Sequence, residues 1–323
     1  MAPVSPQARL CTDLSTEVPT RSSYFAQLRH IVTMTVELID PFGMPLDRVF
    51  GYRELRASGL SRRGLEQALT HGTLVRARRD VYLSATASPN VVQAQRVGGR
   101  LDCLSVLQEL GVFVLDNKRL HVQVEAYDGR LRSPTSRKER LAYTRHGSRV
   151  VVHWRTIGAP LDLHSVPIVH ALAQSAFCQP PRSTVASIDS ALNRGVIAED
   201  HLTELFALLP PRLKVLRPLV DGRAEAGSET LARLLLRVLG CRIELQKWID
   251  GVGRVDLLID GWLVVECDSR AHHDGWAMQE ADRERDLALA ARGYTTIRPT
   301  AKLIFHRPEV LIAAVRGLLA GRP

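Results

Sequence analysis

Three acidic side chains stand close together in the C-terminal third of the sequence, at the ends of two predicted strands. Asp256 lies in RVDLLI, and Glu266 and Asp268 lie in VVECDS. The dipeptide Asp260-Gly261 predicts a tight hairpin turn between these strands. Because side chains alternate along a strand, Glu266 and Asp268 share one face, and Asp256 on the paired strand can approach them.

Such a group of carboxylates has the chemistry of a hard-cation site. Carboxylates repel one another unless a proton or a cation lies between them. Oxygen ligands with room for water suit Mg²⁺ or Mn²⁺ rather than zinc. The sequence therefore predicts Asp256 and Glu266 as metal ligands, with Asp268 assisting, in a site that polarises a phosphodiester and activates water.

Two further side chains are predicted to belong to this site. His272 follows at the entry to the next helix, and histidine acts as a general acid or base near neutral pH. Glu229 opens the preceding helix, where it either joins the site or only stabilises the positive end of the helix dipole. The predicted catalytic residues are thus Glu229, Asp256, Glu266, Asp268 and His272.

The positive charge of the chain is confined to its N-terminal side. Before residue 221 there are 28 basic and 19 acidic residues, whereas from Asp221 onward there are 15 of each. The net charge of +9 therefore belongs to the first part. This distribution indicates a module that binds a polyanion such as DNA. The alternative is that the arginine content only reflects the composition typical of a GC-rich genome.

Residues 46–86 are predicted to form two short helices and a basic hairpin, which is the element order of a winged helix-turn-helix. Ser61 can cap the second helix, and Arg78–Asp80 can form the hairpin turn. A DNA-binding role would use Arg62, Arg63 and Gln67 on the second helix and Arg76, Arg78 and Arg79 on the wing. A solvated arginine face, or a surface for protein contacts, is the alternative interpretation.

The composition excludes several classes of protein. Hydrophobic residues make up 45% and charged residues 24% of the 323 residues, which is typical of a globular chain. No apolar run approaches the ~20 residues that span a bilayer, and the first residues lack the apolar core of a signal peptide, so a cytoplasmic protein without a membrane partner is expected. Five cysteines without a C-x-x-C pair predict neither a disulfide framework nor a structural zinc site.

The C-terminal pattern resembles the Vsr-like branch of the PD-(D/E)XK endonuclease superfamily, and in particular the small endonuclease-like domains of domain-of-unknown-function family 559. The resemblance is carried by E…RVDLLI…VVECDSRAH…RERDLAL…GYTTIRPT. It implies an α/β restriction-endonuclease-like core, a Mg²⁺ or Mn²⁺ cofactor and cleavage of DNA. Ser269 stands where glycine is usual in that family, which changes the turn after Asp268. The positions matching the family are Asp256, Glu266, Asp268 (where other superfamily members place lysine), His272, the helix pair Arg285-Asp286, and Arg298 with Thr300.

Residues 46–215 resemble the AbiEi-type antitoxins of bacteria. The matching segments are YRELRASGLSRRGLEQALTHGTLVRARRDVYL, RLDCLSVLQELGV, LHVQV and SIDSALNRGVI. In that family a winged helix-turn-helix binds operator DNA and a middle domain packs beside it. Asp80 stands where a glycine commonly occurs in the wing, so a looser or differently shaped wing turn is expected.

Together these features predict a mixed α+β fold in four parts. Residues 1–45 are a tail and leading helix, 46–86 the winged helix-turn-helix, 87–220 an α+β middle domain and 221–323 the endonuclease-like domain. Pro210-Pro211 and DGRAEAGSE are predicted as the linker before the last part.

Two functions remain open. The first is a metal-dependent DNA endonuclease with an N-terminal DNA-binding module. The second is an antitoxin-like transcriptional repressor whose nuclease-like domain is a scaffold and whose partner is a cognate toxin or another defence protein. Retention of Asp256, Glu266, Asp268 and His272 together favours the first, whereas the oligomeric state has no sequence signal.

Overall fold

A computed structural model describes residues 48–142, 149–159, 162–268 and 276–321. Within these ranges the strands form three small sheets, of two, three and four strands, with helices packed against them. The predicted mixed α+β class is therefore confirmed. None of the described helices is both long and apolar enough to cross a bilayer.

The first described part is a pair of helices followed by a hairpin. Helices α1 (Tyr52–Ala57) and α2 (Arg62–Thr70) precede the antiparallel strands β1 (Leu74–Arg78) and β2 (Val81–Ser84). The Ser61 hydroxyl accepts a hydrogen bond of 2.9 Å from Gly64 N, so the predicted cap of α2 is present. Its small core contains Phe50, Leu55, Leu65, Ala68, Leu74 and Tyr82.

The turn between β1 and β2 is fixed by Asp80. This residue adopts a left-handed backbone with φ of 59°, which aspartate tolerates better than most residues. Its carboxylate accepts a 2.6 Å hydrogen bond from Tyr52 N at the start of α1. The turn is therefore anchored to the first helix, and the looser turn expected from the missing glycine is not observed.

The middle part combines a three-stranded sheet with a group of helices. The sheet order is β3-β4-β5, with β3 and β4 antiparallel and β4 and β5 parallel. Val185, Ile188 and Ala191 of one helix pack into a core that also contains Leu172 and Leu205. The elements are α3 (Pro89–Val97), β3 (Arg100–Leu101), α4 (Cys103–Glu109), β4 (Leu120–Val124), β5 (Val150–Trp154), α5 (Ile168–Ser175), α6 (Pro181–Asn193), α7 (His201–Ala207) and α8 (Pro211–Lys214).

The last part is a four-stranded sheet covered on both faces. The sheet order is β6-β7-β8-β9, antiparallel except for the parallel pair β8 and β9, whose connection contains α10. Leu257 packs on one face with Leu235, and Val264 packs on the other with Leu289. The elements are α9 (Gly227–Leu236), β6 (Ile243–Ile249), β7 (Gly253–Ile259), β8 (Leu263–Val265), α10 (Trp276–Ala291), β9 (Thr295–Ile297), α11 (Ala301–His306) and α12 (Pro308–Ala320).

A buried carboxylate joins the middle part to the last. Asp189 of α6 is 1% exposed and accepts hydrogen bonds from Asp221 N (2.7 Å), Thr230 Oγ1 (2.8 Å) and Arg233 Nη2 (2.9 Å). Ala224, inside the predicted linker, is 1% exposed. The segment predicted as a linker is therefore packed, because α9 and the residues before it are bound to α6.

We expect Asp189→Ala to lower the free energy of unfolding by about 3–5 kcal/mol, because it leaves the Arg233 guanidinium buried without its partner. Urea denaturation of the full chain measures this change. Asp116→Ala, at an exposed aspartate of the same part of the chain, is the control. Equal denaturation midpoints for the two variants would show that the buried network does not join the two parts.

Candidate active site

Three carboxylates lie near one another, one on α9 and two on or directly after neighbouring strands of the four-stranded sheet. Glu229 lies in the first turn of α9 and is 4% exposed, Asp256 lies in the middle of β7, and Glu266 follows the last residue of β8. Asp256 Oδ2 accepts a hydrogen bond of 2.8 Å from Cys267 N, and Asp256 N donates to Glu266 Oε2 at 3.4 Å. The structure therefore places Asp256 beside the Glu266 segment, as the hairpin turn led us to expect.

Gln246 connects Glu229 to Asp256. Its side-chain nitrogen donates to Glu229 Oε2 at 2.7 Å and is 3.4 Å from Asp256 Oδ1. Gln246 has a φ of 52°, and the β6–β7 ladder is interrupted where it faces Asp256. The sequence did not identify this residue, because a glutamine inside IELQKWI has no spacing that distinguishes it from other strand residues.

Glu229 combines the two roles that the sequence left open. Its carboxylate accepts hydrogen bonds of 3.0 Å from Glu225 N and from Ala226 N, which satisfies donors at the start of α9. Through Gln246 the same carboxylate contacts the acidic group. We call Glu229, Gln246, Asp256 and Glu266 the acidic site.

Arg285 of α10 supplies a positive charge to the acidic site. Its Nη2 lies 2.9 Å from Glu266 Oε1 and also donates to the Arg254 carbonyl. Glu266 Oε1 is buried, yet its contact with the guanidinium lacks the geometry of a hydrogen bond. The Glu266 carboxylate is therefore partly neutralised by Arg285. The neighbouring Asp286 pairs with Arg298 at 2.8 Å.

The other predicted residues lie after β8 and β9 along the chain. Asp268 is half-buried, and its backbone continues the parallel pairing past β8, with Asp268 N bonded to Pro299 O at 3.1 Å. Thr300 caps α11 by accepting from Leu303 N at 3.3 Å. His272 and Ser269 lie outside the described residues.

Burial sets the protonation of the acidic site. Burial raises the pKa of Glu229 and of Glu266 to about 7, and the charge of Asp256 adds to both shifts. Burial also raises the pKa of Asp256. The folded site therefore favours the protonated form of these carboxyls more than exposed carboxyls do. Its potential ligands are carboxylate oxygens, the type that Mg²⁺ and Mn²⁺ prefer, although Arg285 already pairs with Glu266 Oε1.

A different set of residues forms the tightest group of possible metal ligands. Among the residues that the structure describes, the ligand atoms of Cys103, His121, His153 and Cys178 all lie within 4.8 Å of one another, and these four can hold a metal ion. We call them the Cys/His cluster. The sequence did not identify this cluster, because only ligands close together in sequence were considered.

The predicted DNA-contacting side chains differ in exposure. Arg62, Arg63 and Gln67 are exposed along α2, although Arg62 pairs with Glu66 at 3.2 Å. Arg76 and Arg79 are exposed on the hairpin, and the Arg76 guanidinium lies 5.8 Å from the centre of the Tyr82 ring. Arg78 departs from this pattern. It is half-buried in a cleft that Asp128 also lines, and burial lowers its pKa.

Comparison with known proteins assigns no family to the chain. No protein-family model matches the chain, and no curated protein is significantly similar to it.

The stability of the metal-free protein should fall as the pH rises from about 4.5 to about 7. The folded pKa of Glu229 is raised above its ordinary 4.5, so the folded state binds the proton more tightly and loses this advantage once the group ionises. Glu229→Gln should remove about 2–3 kcal/mol of this fall. Urea denaturation over a pH series with a chelator measures it, and the exposed Glu199→Gln is the control. An equal pH dependence of the wild type and Glu229→Gln would contradict the proton-binding role of Glu229.

Proposed function

We propose that the chain is a Mg²⁺- or Mn²⁺-dependent DNA endonuclease of the Vsr-like PD-(D/E)XK type, brought to DNA by an N-terminal winged helix-turn-helix. The observation that carries the proposal is the acidic site. Buried carboxylates on adjacent elements, whose pKa values are raised by burial and by the charge of Asp256, are suited to exchange protons for a divalent cation.

Each residue has a role in this proposal. Asp256 and Glu266 hold the metal, which when bound polarises the phosphodiester and lowers the pKa of a water molecule. Glu229 acts through Gln246, whose amide fixes the orientation of Asp256. Asp268 assists the metal ligands, and His272 transfers a proton to or from the reacting oxygens.

The N-terminal arginines supply the contact with DNA. Arg62, Arg63 and Gln67 lie at one exposed face of α2, which would enter the major groove and reach base edges. Arg76 and Arg79 on the hairpin would contact phosphates. Since Arg78 is half-buried beside the Asp128 cleft, its proposed role is to hold the turn end of the hairpin rather than to contact DNA.

The alternative function is an AbiEi-like repressor whose partner is a cognate toxin and whose last domain is a scaffold. The ion pair between Arg285 and Glu266 favours this alternative, because a guanidinium already neutralises one proposed metal ligand. Metal-dependent cleavage of DNA distinguishes the two functions.

Glu266→Ala and Asp256→Asn should abolish nicking of supercoiled plasmid in Mg²⁺ or Mn²⁺ while leaving DNA affinity unchanged or higher, because repulsion between carboxylate and phosphate is relieved. Agarose gels and gel-shift titrations of the full chain measure the two quantities. Glu244→Gln is the matched control, since this strand carboxylate pairs with Lys247 at 3.0 Å away from the acidic site.

Cleavage that persists in the variants would refute the assignment of the acidic site. A wild type that binds DNA but never cuts it, in either metal, would favour the repressor.

The two groups of arginines should respond differently to salt and sequence. Arg76→Ala with Arg79→Ala should weaken binding to all DNA sequences and reduce the slope of log K against log salt by about 2, because each phosphate contact contributes about 0.9. Arg62→Ala with Arg63→Ala should instead reduce sequence preference. Gel-shift titrations of the full chain across salt concentrations measure both.

The control is Arg316→Ala, at an exposed arginine of α12. If this variant changed the salt slope as much as the hairpin variants do, the N-terminal part would not be the DNA-binding surface.

A further inference from the structure

The Cys/His cluster collects its four donors from separate elements of the middle part. Cys103 begins α4, His121 lies in β4, His153 lies in β5, and Cys178 follows the end of α5. In the parallel pair β4–β5, His121 is opposite Val151, so His153 is two residues further along and on the same face. The two imidazoles thus point to one side of the sheet, towards the two cysteines.

The spacing of the donors matches a tetrahedral ion. His121 Nδ1 lies 3.0 Å from His153 Nε2, and Cys178 Sγ lies 3.9 Å from the same His153 nitrogen. Zinc bonds of about 2.3 Å to sulfur and about 2.0–2.1 Å to nitrogen place tetrahedral donors about 3.3–3.8 Å apart. Small shifts of these side chains therefore suffice to surround one ion.

The chemistry of the donors selects among metals. Two sulfurs and two imidazole nitrogens in tetrahedral positions are typical of zinc, whereas Mg²⁺ and Mn²⁺ prefer oxygen. Coordination releases one proton from each thiol, and two thiolates neutralise the charge of Zn²⁺ within a largely buried site.

The backbone around the donors is fixed by buried hydrogen bonds. Asp102 is 0% exposed, and its carboxylate accepts from Cys103 N at 2.7 Å and from Arg155 Nη2 at 2.7 and 2.9 Å. His121 N donates to Ser105 Oγ at 2.9 Å. Cys103 has a φ of 53°, a strained conformation for a residue other than glycine. In known metal sites, hydrogen bonds around the ligand residues hold the ligands in orientation.

From this geometry we infer that the Cys/His cluster is a structural zinc site that fastens the β4–β5 pair to the helices α4 and α5. The four protein donors leave no coordination position for a substrate, which is the arrangement of structural rather than catalytic zinc. Cys178 is half-buried and provides the entry path for the ion. The inference is independent of the proposed nuclease activity.

Zinc analysis of the full chain, purified after removal of any affinity tag, tests the inference. The wild type should contain about one zinc per chain, and X-ray absorption should show two sulfur and two nitrogen neighbours at the distances given above. Cys178→Ser and His153→Ala should lose the zinc, and the wild type should melt at a lower temperature after treatment with a strong chelator.

Two control variants locate the metal. Cys241→Ser removes a thiol outside the cluster, and Glu266→Ala removes an acidic-site ligand, and both should retain the zinc. Zinc retained in full by Cys178→Ser, or a wild type that takes up no zinc and gives no thiolate charge-transfer band with Co²⁺, would overturn the inference. The absorption and cobalt measurements use the wild type and remain decisive if a variant fails to fold.

Discussion

The buried carboxylate of Asp189 determines how the last part of the chain is held. Its hydrogen bonds to Asp221 N, Thr230 and Arg233 bind α9 to α6, and α6 itself lies in the core of the middle part. Glu229 lies in the first turn of α9. The attachment of α9 to α6 therefore helps to set the position of Glu229 relative to the sheet. A carboxylate in the middle part therefore positions a carboxylate of the acidic site, and the two parts cannot be treated as freely jointed modules.

The acidic site and the Cys/His cluster are both buried groups of ionisable side chains, and they differ in their donor atoms. The acidic site places oxygen donors on the sheet and compensates them with a guanidinium, an amide and protons. In the zinc site that we infer, the Cys/His cluster offers softer donors, and its two cysteines as thiolates would match the charge of one Zn²⁺. Because hard oxygen and soft sulfur ligands prefer different cations, the two sites would not compete for the same metal.

The sequence predicted the element types and the approach of Asp256 to the Glu266 segment, since hydrophobic alternation and an Asp-Gly turn are local signals. It did not predict Gln246, whose role depends on an interrupted ladder facing Asp256. The Cys/His cluster was missed because its four ligands lie on elements separated by long stretches of chain, and their proximity results from packing. The segment after Pro210 looked like a linker because its polar composition does not reveal the contact with Asp189.

The hydrogen bond from Tyr52 N to Asp80 has a consequence for the entropy of binding. It connects the tip of the hairpin to α1, and the isolated bridge between Phe50 and Tyr82 connects the segment before α1 to β2. The conformational freedom of the turn is thus lost during folding rather than when a ligand arrives. A surface ordered in advance gives up less entropy on association, so the arginines beside Asp80 would meet a partner as a rigid template.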